Sequence, residues 1–250
     1  MSAFDYHVEA RVARVTLRAP RVSWQQILAL SLLPTRAVED GARSILLTAA
    51  GPDFSHGVDL VDPELGQRLR DDGGRTVAIA GQQLVDAWAH SPVPTVVALR
   101  GRAIGAGACL AVAADFRFAT PAATLAFPEV ARGMHLSWGI VPRLVTAFGH
   151  DWAQWLAVGG EAVTVEKLGP SAARICDSPE AAAMDFATRL ADLPPLAVAE
   201  IRSVLQATST GVQDAADRDP ARFARTVQSA DFGEAMAAWF EKRPGMFEGK

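Results

Sequence analysis

Two glycine-bearing segments have the composition of ligand-holding turns: GPDFSHGVDL at 51–60 and GRAIGAGACL at 101–110. Each follows a short apolar run, SILLTAA at 44–50 and TVVALRG at 95–101, of the kind that forms a buried strand. Glycine lets the backbone turn tightly and approach a ligand closely. A helix starting at such a turn presents N–H groups that lack an intrahelical partner, at its positive dipole end. Two such turns can aim two N–H donors at one oxygen, which stabilises an enolate or a tetrahedral oxyanion. Taken singly, each turn reads first as a tight strand-to-helix connection. GAGACL is not a dinucleotide fingerprint, because Leu110 stands where the third glycine belongs and the turn lies too far along the chain.

The remaining reactive residue types are sparse. Cys109 and Cys176 make neither a disulfide framework nor a zinc pattern. Cys109, inside an apolar stretch, reads as a small buried residue rather than a nucleophile. Glu129, after Pro128, reads on its own as an exposed loop charge. His56 and His135 each read singly as structural hydrogen-bonding residues.

The elements around these turns follow from periodicity. Residues 7–17, HVEARVARVTL, suggest two short strands, and residues 23–40 a helix that ends at Pro34. VDPELGQRLRDDGGR, residues 61–75, is polar with Gly73-Gly74 and reads as an exposed, mobile loop. Val77, Ala80, Leu84, Val85 and Trp88 have helical spacing over 76–90, ended by Pro92 and Pro94. Gly105-Ala106-Gly107 opens an apolar helix; FRFAT and TLAF read as further strands; everything from Pro142 onward reads as helical. The alternation over 44–127 predicts an α/β core. The expected division is a core over 1–190 and a helical region over 191–250.

Composition bounds the partners. The chain has 250 residues, half of them hydrophobic, with a formal net charge of −4. That excludes a disordered chain and argues against a nucleic-acid binder, which needs a basic face. The opening MSAFDYHVEARV has charges where a secretory leader would be apolar, and no apolar run reaches the roughly 20 residues of a membrane span. The cytoplasm is the expected compartment, with no membrane or nucleic-acid partner.

Three ordered motifs carry a resemblance. VPTVVALRGRAIGAGACLAVAADFRFATPAATLAFPEVARG, residues 93–133, resembles the core of the crotonase family, the enoyl-CoA hydratases and isomerases. DFSHGVDL resembles that family's AFCAGADL, and the tail MAAWFEKRPGMFEG, residues 236–249, resembles its AFLEKRxPxFxG ending. Residues 18–40 match poorly, and the family's NRP…NAL segment is missing.

The resemblance implies a crotonase-type α/β spiral of ββα and βαβ units, with a C-terminal helical region that assembles trimers or hexamers. It implies an oxyanion hole from the backbone N–H groups of Val58 and Ala106, around the carbonyl of an acyl thioester. No separate cofactor and no metal is implied; CoA or phosphopantetheine arrives as part of the substrate, the latter on an acyl carrier protein. Asp59, Leu60 and Lys242 fall where relatives hold that arm. Of the two glutamates that resembling hydratases use, Glu129 is present and Cys109 replaces the other. One carboxylate suits a double-bond isomerase, which takes a proton from Cα and returns it to Cγ. GMHLSWGIVPRL, residues 133–144, aligns with a segment that in some members carries an aspartate, here Ser137. His56, His135, Ser137 and Cys109 are thereby candidate auxiliary groups, and Trp138 a wall of the acyl pocket. Phe232, Met236, Trp239 and Phe240 form an apolar stripe expected at the subunit interface. Hydratase, decarboxylase, thioester hydrolase and a non-catalytic binding subunit stand as alternatives to the isomerase.

Overall fold

The structure is a computed structural model that describes residues 4–193, 195–207, 220, 223, 224, 227–243 and 245. Strands β1 (Phe4–Glu9) and β2 (Val12–Leu17) form an antiparallel hairpin. Helix α1 (Trp24–Glu39) then leads to β3 (Ser44–Ala49), which lies parallel to β2. Helices α2 (Pro63–Asp71) and α3 (Arg75–Ala89) precede β4 (Thr95–Leu99), and α4 (Ala106–Ala113) precedes β6 (Phe116–Ala119). With β9 (Arg174–Ile175) these strands make one six-stranded sheet, ordered β1-β2-β3-β4-β6-β9 and parallel after the first pair. A second sheet joins β5 (Arg102–Ile104), β7 (Thr124–Ala126) and β8 (Val163–Thr164). Helices α5 (Ile140–Ala157), α6 (Pro179–Asp192), α7 (Pro195–Ala207) and α8 (Ala230–Glu241) complete the described elements. This is the expected α/β spiral of ββα and βαβ units.

The large sheet divides its side chains by parity. Val15, Leu17, Ile45, Leu47, Val97 and Leu99 point to one face and join the main core with α1, α3 and α4. Their neighbours Val12, Leu46, Val96, Ala98 and Phe118 point to the other face, as a period-two backbone requires. There they meet Ala183, Ala187 and Ala191 of α6, whose fourfold spacing lays small residues along one stripe. All residues of β3 and β4 are buried, which explains their continuous apolar sequences. Helix α7 is fastened to the core: Arg202 donates to the Ser91 carbonyl at 2.7 Å and to Asp115 at 2.8 Å.

Three expectations are corrected. Helix α1 does not stop at Pro34 but runs to Glu39. Proline removes the N–H that would bond to the carbonyl four residues back. That carbonyl, Leu30 O, instead accepts the indole N–H of buried Trp88 at 3.0 Å, while Leu33 and Ala37 hold the second half of the helix in the core. Residues 61–75 are not one loop, since α2 occupies Pro63–Asp71. Asp62 caps it, accepting the Glu64 N–H at 2.9 Å, and Pro63 stands at the first helical position. The chain beyond Pro142 is not all helical, because β8 and β9 each add two residues to a sheet edge. No helix among the described residues is long and apolar enough to cross a membrane.

The expected C-terminal region falls partly outside the described residues. Of its interface stripe, Trp239 and Phe240 are exposed and stacked edge to face, with ring centroids 4.7 Å apart.

Candidate active site

The two glycine turns lie against each other. The segment after β3 runs beside β5: Ser55 N–H donates to Arg102 O at 3.0 Å and Ile104 N–H to Ser55 O at 2.9 Å. Gly57, at φ 84°, brings its Cα so close that a Cβ there would sit 3.0 Å from Ile104 O and 3.6 Å from Ala106 N. A side chain would be strained by that φ and crowded by that carbonyl, so glycine is what lets the turns touch.

Each turn leaves one N–H without a protein acceptor among the described residues. Val22 N–H donates to Gly57 O at 2.8 Å, and Asp59 N–H donates to Val22 O at 2.9 Å. This bridge uses the neighbours of Val58 and leaves Val58's own N–H facing away from Val22. Ala106 is the first residue of α4, where no carbonyl lies four residues back within the helix, and Gly105 supplies no capping side chain. The dipole of α4 adds positive potential at this end.

Two adjoining cavities meet at the turns. The outer one, about 220 Å³, is lined by Val58, Asp59, Leu60 and His56, and by Arg21, Arg102 and Arg132. The inner one, about 60 Å³, is lined mainly by apolar side chains together with Val58, Ala106, Cys109, His135, Ser137 and Trp138. Glu129 borders both. Its Oε1 lies where a Cβ on Gly105 would come within 2.9 Å, so the carboxylate rests directly on the second turn. Its Oε2 is buried with no hydrogen-bond partner among the described residues. Burial pushes the Glu129 carboxyl up to about 7; its own backbone and the charge of Arg132 act in the opposite direction. Such a group takes up and releases protons near neutrality.

The other predicted residues divide between the cavities. Cys109 is buried on α4, and Ser137 carries a buried hydroxyl with no partner among the described residues. Trp138 is buried, with φ 66° in the left-handed region. His135, half-buried, lines the inner cavity. His56 Nε2 is 2.8 Å from Asp53 Oδ2, and the same oxygen accepts from Arg102 Nη2 at 2.7 Å, which ties His56 into an ion network at the mouth. Lys242 is exposed at the C-terminal end of α8, also in the left-handed region, and lines neither cavity.

Sequence reasoning missed the three arginines and Trp239 at the mouth. Arg132 was the most accessible of them, three residues after Glu129; its guanidinium lies 5.9 Å from the Trp239 ring centroid. Arg21 sits in the poorly matching stretch and gave no signal.

A Mycobacterium tuberculosis (strain CDC 1551 / Oshkosh) protein named "Probable enoyl-CoA hydratase echA6" is 31% identical over 214 residues, 86% of this chain and 84% of that protein. A Bacillus subtilis (strain 168) protein named "Probable enoyl-CoA hydratase" is 27% identical over 260 residues, spanning both chains entirely. The crystal structure of an enoyl-CoA hydratase/isomerase from Pseudoalteromonas atlantica T6c superposes with a TM-score of 0.86 at 26% identity, over 99% of this chain and 100% of that one. The enoyl-CoA hydratase/isomerase family model matches residues 9–250, so the chain belongs to that family, whose fold is the crotonase fold.

Proposed function

We propose that the protein is a double-bond isomerase of enoyl thioesters that works with a single carboxylate. The thioester carbonyl sits between the N–H groups of Val58 and Ala106. Glu129 takes a proton from Cα of a β,γ-unsaturated acyl group, the electron pair passes to the carbonyl oxygen as an enolate, and the two N–H groups stabilise that charge. The same carboxyl then returns the proton to Cγ, leaving the α,β-unsaturated thioester. Atoms and electrons balance without a co-reactant.

The observation that carries this reading is the composition of the inner cavity. Glu129 is its one carboxylate among the described residues, and Cys109 of α4 lines the same cavity. Hydration uses a second carboxylate to hold and activate water, and a buried thiol with an ordinary value near ~8.5 is a poor replacement. The arginines Arg21, Arg102 and Arg132 at the mouth suit the phosphates shared by CoA and carrier-protein phosphopantetheine. The exposed Trp239 and Phe240 on α8 support assembly into trimers, with Lys242 offered to a neighbouring subunit's substrate. Light scattering at micromolar concentration is expected to give three or six times 26.5 kDa; a stable monomer contradicts this assembly.

The test is a pair of assays on the same preparation. A 3-enoyl thioester is expected to convert to the conjugated 2-enoyl thioester, followed by its absorbance. Addition of water to a 2-enoyl thioester is expected to be much slower. Faster hydration than isomerisation would overturn the reading in favour of a hydratase.

A further inference from the structure

We propose that the inner cavity selects a short acyl group bearing an oxygen beyond the thioester, with Trp138 setting the length and Ser137 holding the oxygen. This rests on the thioester reading above and deepens it to a substrate class.

Trp138 is a bulky residue held at φ 66°, followed by Gly139 at φ 64°. Side chains of this size rarely adopt that backbone conformation. Its indole lies against Gly81 in the middle of α3: a Cβ built there would meet three indole atoms at 1.9 to 2.2 Å. A glycine inside a helix weakens the helix. Two locally unfavourable choices, one in the 133–139 segment and one in α3, are thus matched to each other, and together they fix the ring. The ring forms part of the cavity wall with Val77, Leu65 and Leu136. Strain kept at a binding surface points to a role in that surface.

The size of the space bears on the length. The cavity is small, about 60 Å³, and the indole forms part of its wall. That suits a short acyl group better than a long fatty chain while the indole stays in place.

Ser137 supplies the polar end. It is 4% exposed, and its Oγ has no hydrogen-bond partner among the described residues. A buried hydroxyl left unpaired is unfavourable, and here it borders a cavity walled mainly by apolar side chains. Because a hydroxyl both donates and accepts, a ketone, hydroxyl or amide oxygen on the acyl group satisfies it. Ser137 lines the same cavity as Trp138, so that oxygen belongs to the acyl part of the substrate.

Calorimetric binding of CoA esters that carry no β,γ double bond tests this without any turnover. The unmodified protein is expected to bind 4-oxopentanoyl-CoA about tenfold more tightly than pentanoyl-CoA. It should bind decanoyl-CoA about tenfold more weakly than pentanoyl-CoA. Ser137→Ala is expected to abolish the first difference. Trp138→Gly, which accepts the left-handed backbone, is expected to raise decanoyl-CoA affinity about tenfold. The ligand series on the unmodified protein needs no variant to fold. Equal affinity for pentanoyl and decanoyl esters, or no preference for the 4-oxo ester, overturns the proposal. Failure to bind any acyl-CoA would instead sink the thioester reading beneath it.

Discussion

Asp53 and Glu129 are two carboxylates at the same pair of turns, and their surroundings drive them in opposite directions. Asp53 is surrounded by donors: the Arg102 N–H at 2.8 Å, the Arg102 Nε at 3.1 Å and Nη2 at 2.7 Å, and His56 Nε2 at 2.8 Å. The Arg102 guanidinium and His56 hold its carboxyl well below the usual carboxylate range. Glu129 has an oxygen buried without a partner, and burial pushes it up to about 7. The lesson is that donors, and not location alone, decide the role. Asp53 is a permanently charged strut tying the first turn to β5. Glu129 is left poised to exchange a proton because burial outweighs the little that its own backbone and Arg132 give its charge.

The sharpest way to break this comparison is to remove the proton acceptor. Glu129→Gln keeps the shape and is expected to lower isomerisation kcat/KM by roughly 10²–10⁴ with thioester binding retained. In the unmodified protein kcat/KM should rise with pH through a midpoint near 7, since the free enzyme's base must be ionised. A variant with unchanged turnover, or a profile flat from pH 5 to 9, would remove Glu129 from the chemistry.

The same substitution has a stability signature of opposite sign. A carboxyl whose folded value is raised from 4.5 to about 7 disfavours the folded state increasingly as pH climbs through that interval, with the full penalty above it. The displacement corresponds to about 3 kcal/mol. Glu129→Gln is therefore expected to stabilise the protein by up to about 3 kcal/mol at pH 8 relative to its effect at pH 4, read from urea unfolding at both pH values. An equal effect at the two pH values means Glu129 is solvated.

Asp53 should behave in the reverse way. Its lowered value gives stability that is present above the ordinary 3.8 and lost as pH falls below it. Asp53→Asn removes the charge, weakens the bonds to Arg102 and His56, and is expected to lower stability by about 2 kcal/mol at pH 7. The loss should begin to shrink only below the ordinary 3.8 and should persist in large part at pH 3, where Asp53 is still ionised in the folded protein, measured by the same unfolding series. A loss independent of pH would assign Asp53 to packing alone.

The legible part of the site was the part contiguous in sequence. The turns at 51–60 and 101–110 and the Pro128-Glu129 pair lie in unbroken stretches whose residue types bear on chemistry directly. Arg21 and Trp239 reach the mouth from segments far apart in the chain, joined only by the fold. The continuation of α1 past Pro34 was hidden for a similar reason, because its compensation comes from Trp88 in another helix. Helix α2 was legible and misread: Asp62-Pro63-Glu64 is a capping sequence, outweighed by the polar composition and Gly73-Gly74 that follow. Strands β8 and β9 are two residues each and show no period at all.

The smallest expected effect tests whether the inner cavity holds one working group or two. Cys109 is buried on α4 and borders the same cavity as Glu129. If the thiol only fills space, Cys109→Ser changes shape by almost nothing and adds a more polar atom to an apolar helix. Stability should then fall by about 1 kcal/mol, since a hydroxyl is harder to bury than a thiol. Isomerisation kcat/KM should stay within about threefold of the unmodified enzyme, because a side chain outside the transition state alters little beyond positioning. A nucleophilic thiolate predicts something different: serine, far less acidic, would abolish turnover, and a saturated thioester would acylate the unmodified protein by its acyl mass. Intact-protein mass spectrometry after incubation with pentanoyl-CoA separates the two, with no added mass expected. An acyl adduct that disappears in Cys109→Ser would move the chemistry from the carboxylate to the sulfur and leave Glu129 as its base.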